Sequence, residues 1–177
     1  AHSLSYDFSV TSKPRPGQPW CEVQGQVDGK SFLSYDCGSD EVRSSSFLGT
    51  LVNATKIWKE QTETLSYVGD LLKEQLPIKT RDIQNRVPFS LQGRMTCQRE
   101  ASGVIHGSWQ FGCDGQMSLL FDSEKGHWTV VHPGGILIKN KWESDRDVMK
   151  SFKKISVGDC KRWLENFLAS WERMNTT

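Results

Sequence analysis

The sequence predicts an α+β fold in which eight antiparallel strands lie under two helices, and three observations carry that reading. The stretch Trp109 to Asp122 reads as a β-hairpin, two apolar runs around an Asp-Gly turn signal. The pattern has a precedent in the chain: Asp28, Gly29, Leu33, Tyr35 and Asp36 match Asp114, Gly115, Leu119, Phe121 and Asp122, each at an offset of 86 (114 − 28). The apolar period also changes from two to three-or-four twice, giving the order strands, helix, strands, helix. The chain therefore reads as one domain over residues 1–177, built of similar halves 1–86 and 87–177.

Leu4, Tyr6, Phe8 and Val10 alternate with Ser5, Asp7 and Ser9, a half-buried strand. Pro14 to Pro19 is a loop, and Trp20 to Cys37 is the first hairpin. Gly38 to Gly49 is polar and Ser-rich, with room for one short strand. Trp58, Leu65, Val68, Leu72 and Leu76 recur at helical spacing, so Ile57 to Leu76 is an amphipathic helix ended by Pro77. In the second half Phe89, Leu91, Gly93, Met95 and Cys97 alternate with polar residues. Centring the next hairpin on Gly115 sets Trp109, Phe111 and Cys113 opposite Phe121, Leu119 and Met117. Trp128 to Val131 is the last strand, stopped by Pro133-Gly-Gly. Helical pattern fills the rest, with a break near Lys154 to Gly158. There Ser156 reads as an N-cap with Asp159 three residues on. Cys160, Trp163, Leu164, Phe167, Leu168 and Trp171 follow as the buried stripe of the last helix.

With 22 basic and 21 acidic residues and no Lys/Arg block, the chain offers no nucleic-acid surface. No run approaches 18 apolar residues, and the first residues lack a basic or apolar leader segment. Of five cysteines, Cys21 and Cys37 face each other across the first hairpin. Cys97 and Cys160 lie on the apolar faces of a strand and of the helix that should cover it. These two pairs read as disulfides, which leaves Cys113 as a reduced thiol. Sequons at Asn53 and Asn175, together with the cysteines, point to a secreted or surface glycoprotein.

Enzymatic readings find little support. The four histidines are scattered and no H-x-x-x-H or C-x-x-C occurs, so neither metal nor cofactor is expected. Cys113 with His106 on the same strand fits a packed face better than a nucleophile. No phosphate-binding Gly loop and no G-x-S-x-G is present.

Long stretches identify a resemblance. Trp20 to Asp28, Phe32 to Cys37, Gly107 to Phe111, Leu119 to Ser123, Trp128 to Pro133, Gly158 to Cys160 and Trp163 to Leu168 resemble the UL-sixteen-binding and retinoic-acid-early-transcript family of MHC class I-like proteins. The resemblance covers nearly all 177 residues. It implies the class I platform without an immunoglobulin-like domain, in a monomer that needs neither β2-microglobulin nor peptide. It also implies a cell-surface stress ligand for the activating natural-killer group 2 member D receptor, a homodimer that lies across both helices. A GPI anchor or transmembrane segment would follow the residues given. The competing class is a groove that presents a lipid or small molecule, which large inward residues such as Trp58, Leu65, Trp163 and Phe167 would fill. Against the family pattern, Ser5 and Cys113 differ in type, and Gly135 to Ile138 is unusually apolar.

For the receptor footprint, the stripe beside the inner face of the first helix is Tyr67, Leu71, Glu74 and Ile78, with Asp70 next to it. On the other side the break is expected to expose Met149, Phe152, Lys153, Lys154 and Ile155. The resemblance adds Asp159, the acid before the helix cysteine, which also reads as part of the helix cap.

Overall fold

The computed structural model describes residues 1–12, 14–44, 56–76, 90–113 and 115–175. Among these, β1 (His2–Thr11), β2 (Cys21–Val27), β3 (Lys30–Asp36) and β4 (Glu41–Ser44) belong to the first half. The second half supplies β5 (Ser90–Arg99), β6 (Ile105–Cys113), β7 (Gln116–Asp122) and β8 (His127–Val130). All eight form one antiparallel sheet in the order β4-β3-β2-β1-β5-β6-β7-β8. The halves meet along β1 and β5, paired from His2↔Arg99 to Thr11↔Ser90.

The repeat reaches down to the irregularities. Asp28 (φ 52°) and Gly29 (φ 81°) make a two-residue turn in the left-handed region, the arrangement that suits right-twisted strands. Past it the register slips: Gly25 faces Leu33 but Gln26 faces Ser31, so Phe32 is an extra, bulged residue. In the second hairpin Phe111 faces Leu119 but Gly112 faces Met117, which makes Ser118 the extra residue, again 86 positions on (118 − 32). Trp109↔Phe121 and Phe111↔Leu119 pair as expected, but Cys113 faces Gln116 instead of Met117. The bulge is the cause. It shifts pairing by one residue, and Met117 ends on the exposed side.

One face of the sheet carries the helices. Helix α1 (Lys56–Lys73) buries Trp58, Leu65, Val68 and Leu72, the stripe its spacing predicts. The second helical region comprises α2 (Ile136–Glu143), α3 (Arg146–Lys154), a π-turn (Ile155–Asp159) and α4 (Cys160–Asn175). Its break lies at Ser144-Asp145, where Asp145 Oδ1 accepts from Asp147 N (3.1 Å) and Val148 N (3.2 Å) as an N-cap. The break expected at Lys154 to Gly158 is absent, and Ser156 caps nothing. The chain stays helical there and takes one extra residue into a turn, with Cys160 N bonding Ile155 O five residues back. That extra residue shifts the apolar phase, which in sequence looks like an interruption.

The core is aromatic. Phe152 lies 4.8 Å from Trp109 and 5.1 Å from Trp142 between ring centroids, and Phe121 lies 4.5 Å from Trp128. Disulfides join Cys21 to Cys37 and Cys97 to Cys160. Cys113 belongs to neither bridge and is half-buried.

Candidate functional site

The face away from the sheet is made by α1 on one side and α3, the π-turn and α4 on the other. Two surface contacts tie the sides together. Arg162 of α4 pairs with Glu60 of α1 and also reaches Asp159 Oδ1 at 3.3 Å. Tyr67 Oη of α1 and Ser151 Oγ of α3 lie 3.0 Å apart. Below the first tie, the Tyr6 hydroxyl donates to Gln61 Oε1. Burial pushes the Tyr6 pKa well above its usual value, so the phenol keeps the proton it donates.

The space between the helices is filled from below. Tyr6 meets Trp163 edge-on at 5.8 Å, and Phe32 meets Phe167 at 5.1 Å. A shallow depression remains, lined by Glu63, Thr64, Tyr67, Ser151, Lys154, Ile155 and Asp159. Its lining sets Glu63 of α1 opposite Lys154 and Asp159. Beyond the depression α1 exposes Asp70 together with Lys59 and Lys73, with Glu74 just past its end, while Lys150, Lys153, Lys161 and Arg162 outnumber the exposed acids Asp147 and Glu165 on the opposite side.

The structure divides the expected footprint. Tyr67 is 47% exposed, and Asp70, Glu74, Lys153 and Lys154 also face solvent. Leu71, expected on the surface, is buried, because it stands three residues after Val68 and shares that face of α1. Phe152 and Ile155, expected to be exposed by a break, are buried for want of one. Phe152 packs inside the aromatic cluster. Met149 is half-buried against the core. Asp159 is only 8% exposed, and its carboxylate turns to Arg162 instead of a helix N-terminus. Ile78, Asn53 and the side chain of Asn175 lie outside the described residues. Glu60, Ser151 and Arg162 were not singled out from sequence. Glu60 and Arg162 are 102 residues apart, and nothing local links them.

Among the described residues no His, Cys, Asp or Glu side chains gather into a metal site, and no helix is long and apolar enough to cross a membrane. Residues 1–174 match the model of class I histocompatibility antigen, domains alpha 1 and 2. The chain is 52% identical to human UL16-binding protein 1 over 174 residues, 98% of this chain and 71% of that protein. It is 54% identical to human UL16-binding protein 6 over 168 residues, covering 94% and 68%. Human retinoic acid early transcript 1E is 43% identical over 173 residues, covering 98% and 66%. The chain thus belongs to the UL16-binding and retinoic acid early transcript family, a non-enzymatic family of MHC class I-like immune ligands.

Proposed function

We propose that this domain is a cell-surface ligand that binds the homodimeric activating natural-killer group 2 member D receptor across its two helices. It does so as a monomer, without β2-microglobulin and without peptide. The observation that carries this reading is the closed helix pair. Two helices tied to each other above an aromatic floor form a preformed surface, which spares a protein partner the cost of ordering it. The footprint proposed is Tyr67 and Asp70 on α1 and Glu74 just past its end, with Lys153, Lys154 and the Asp159–Arg162 pair opposite. Tyr67 supplies the exposed aromatic that such interfaces bury as an anchor.

The groove reading fares worse on the same observation. Tyr6, Phe32, Trp163 and Phe167 occupy the volume a lipid tail would need. Native mass spectrometry of the purified domain should find no co-purifying small molecule.

The direct test is binding of the refolded domain, prepared without peptide or light chain, to immobilised soluble receptor. A saturable signal is expected. Tyr67→Ala should lower affinity more than tenfold, above about 1.4 kcal/mol, chiefly by faster dissociation. Absence of binding by the wild-type domain overturns the reading.

A further inference from the structure

The π-turn Ile155–Asp159 interrupts an otherwise α-helical side of the binding face, and the sheet below holds it from several directions. Phe152 O accepts from Trp109 Nε1 at 2.9 Å. Ser156 is fully buried, with its Oγ 2.8 Å from Phe152 O and 2.5 Å from Ser123 Oγ. A serine hydroxyl has one proton, so with Ser156 Oγ–H donating to Phe152 O, the Ser123 hydroxyl donates to Ser156 Oγ. Ser123, also fully buried, is itself fixed by its N–H to Gly107 O at 3.1 Å. The backbone of Ser156 sits on Gly107, where an added Cβ would come within 2.8 Å of Ser156 O. The Cys97–Cys160 bridge closes the far end of the turn.

These contacts choose between two helical registers. In an unbroken α-helix the partner of Ile155 would be Asp159, and Cys160 would rotate by about 100° away from Cys97. The observed register stacks Cys160 beneath Ile155. It also fixes where Lys153, Lys154, Lys161 and Arg162 stand relative to one another. Single π-turns inside α-helices recur at functional positions.

We propose that Ser123, outside the binding face and fully buried, is a positioning residue for receptor binding. Its hydroxyl holds Ser156 in the π-turn and thereby sets the basic side of the face. This inference rests on the receptor reading above. The Ser123–Ser156 link ties the sheet to the π-turn and not to α1, which meets the sheet through the Tyr6–Gln61 hydrogen bond, so the α1 side of the footprint should not depend on it.

The experiment measures receptor kinetics and backbone amide exchange on the wild-type domain and on Ser123→Ala, Ser156→Ala and Tyr67→Ala. Ser123→Ala should speed exchange at residues 155–160, leave α1 exchange unchanged and weaken receptor binding about fivefold, the worth of one hydrogen bond. Ser156→Ala should do the same, and the double variant should add little beyond either single change. Tyr67→Ala should weaken binding with no change in exchange at residues 155–160. Faster exchange at the π-turn with wild-type affinity overturns the positioning role, as does unchanged exchange in both serine variants. Should Ser123→Ala not fold, Ser156→Ala carries the same test. Loss of binding already in the wild-type domain is a separate result, which overturns the receptor reading and not the register assignment.

Discussion

The same spot of the repeat is built in two ways. In the first half, β2 begins at Cys21 and β3 is followed by Cys37. Cys37 N bonds Cys21 O at 3.2 Å, and a disulfide joins the two residues. Helix α1 crosses above with Gly69, whose absent Cβ would lie 2.6 Å from Cys21 Sγ. In the second half the residues 86 positions on are Gly107 and Ser123, joined by the equivalent backbone bond at 3.1 Å. There the helix brings Ser156 and the sheet supplies the glycine. One half places bulk in the sheet and space in the helix; the other reverses this. The second half then places its bridge elsewhere, from Cys97 of β5 to Cys160 of α4. A covalent bond inside the sheet leaves the helix above free to be regular. A bridge from sheet to helix fixes the helix register, and the π-turn follows.

The sharpest way to break this comparison is to remove each bridge. The Cys97–Cys160 bridge spans 63 residues and the Cys21–Cys37 bridge 16. On the chain-entropy relation they stabilise by about 4 and about 3 kcal/mol. Replacing Cys97 and Cys160 by Ser should therefore lower unfolding free energy more, as measured by denaturant titration, and should also speed amide exchange across residues 155–160. Replacing Cys21 and Cys37 should leave that segment protected.

Glycine substitutions come next. Gly69→Ala should cost roughly 1–3 kcal/mol by overpacking against the disulfide. Gly158, with nothing within 4 Å of its Cβ position, should gain stability on substitution by Ala, roughly 0.5–1 kcal/mol. Melting curves that move the same way for both would sink the contrast.

Charge should separate the two walls of the binding face. Lys153→Glu or Lys154→Glu should slow receptor association several-fold at low salt, with little change at high salt. Unchanged association rates at every ionic strength would remove the basic wall from the footprint.

The smallest expected effect concerns a position where the halves exchange packing for charge. Trp20 lies against Gly38 in the first half. The corresponding pair, 86 residues on, is His106 and Glu124, at 2.6 Å, with Glu100 on the other ring nitrogen at 2.8 Å. Hydrogen bonds to Glu100 and Glu124 raise the His106 pKa above its usual 6.5. A raised folded-state pKa means that the contribution is complete below about pH 6.5 and fades as pH rises through the folded value. His106→Gln should lower the melting temperature slightly at pH 5.5 and not at pH 9. An NMR titration placing His106 at or below 6.5 would contradict the clamp.

Much of the architecture was legible because it is periodic. Leu4 to Val10, the α1 stripe and the repeat offset need only local alternation and counting. Phe152, Ile155 and Asp159 were misread because a π-turn mimics a helix break. It moves the apolar phase by one residue without Pro or Gly punctuation strong enough to distinguish the two. Cys113 opposite Met117 failed for a similar reason, since one bulged residue, Ser118, reverses the faces beyond it. Leu71 stands between two stripes, and tertiary packing decided its side. The helix-to-helix ties escaped because their partners lie 84 and 102 residues apart.

The seam between β1 and β5 has a consequence for the birth of the molecule. Strand β1, made before the other seven strands of this sheet, pairs on one side with β2, nearby, and on the other with residues 90–99. About 80 residues (90 − 11 = 79) separate Thr11 from its partner Ser90, several seconds of synthesis at about 5–20 residues per second. During that time Leu4, Tyr6, Phe8 and Val10 have no second neighbour, and β1 is an unprotected sheet edge. The Cys21–Cys37 hairpin can close once Cys37 has emerged; the Cys97–Cys160 bridge waits for residue 160. Nascent chains should therefore oxidise in that order, and a chaperone that shields strand edges would act on the first half before the second has appeared.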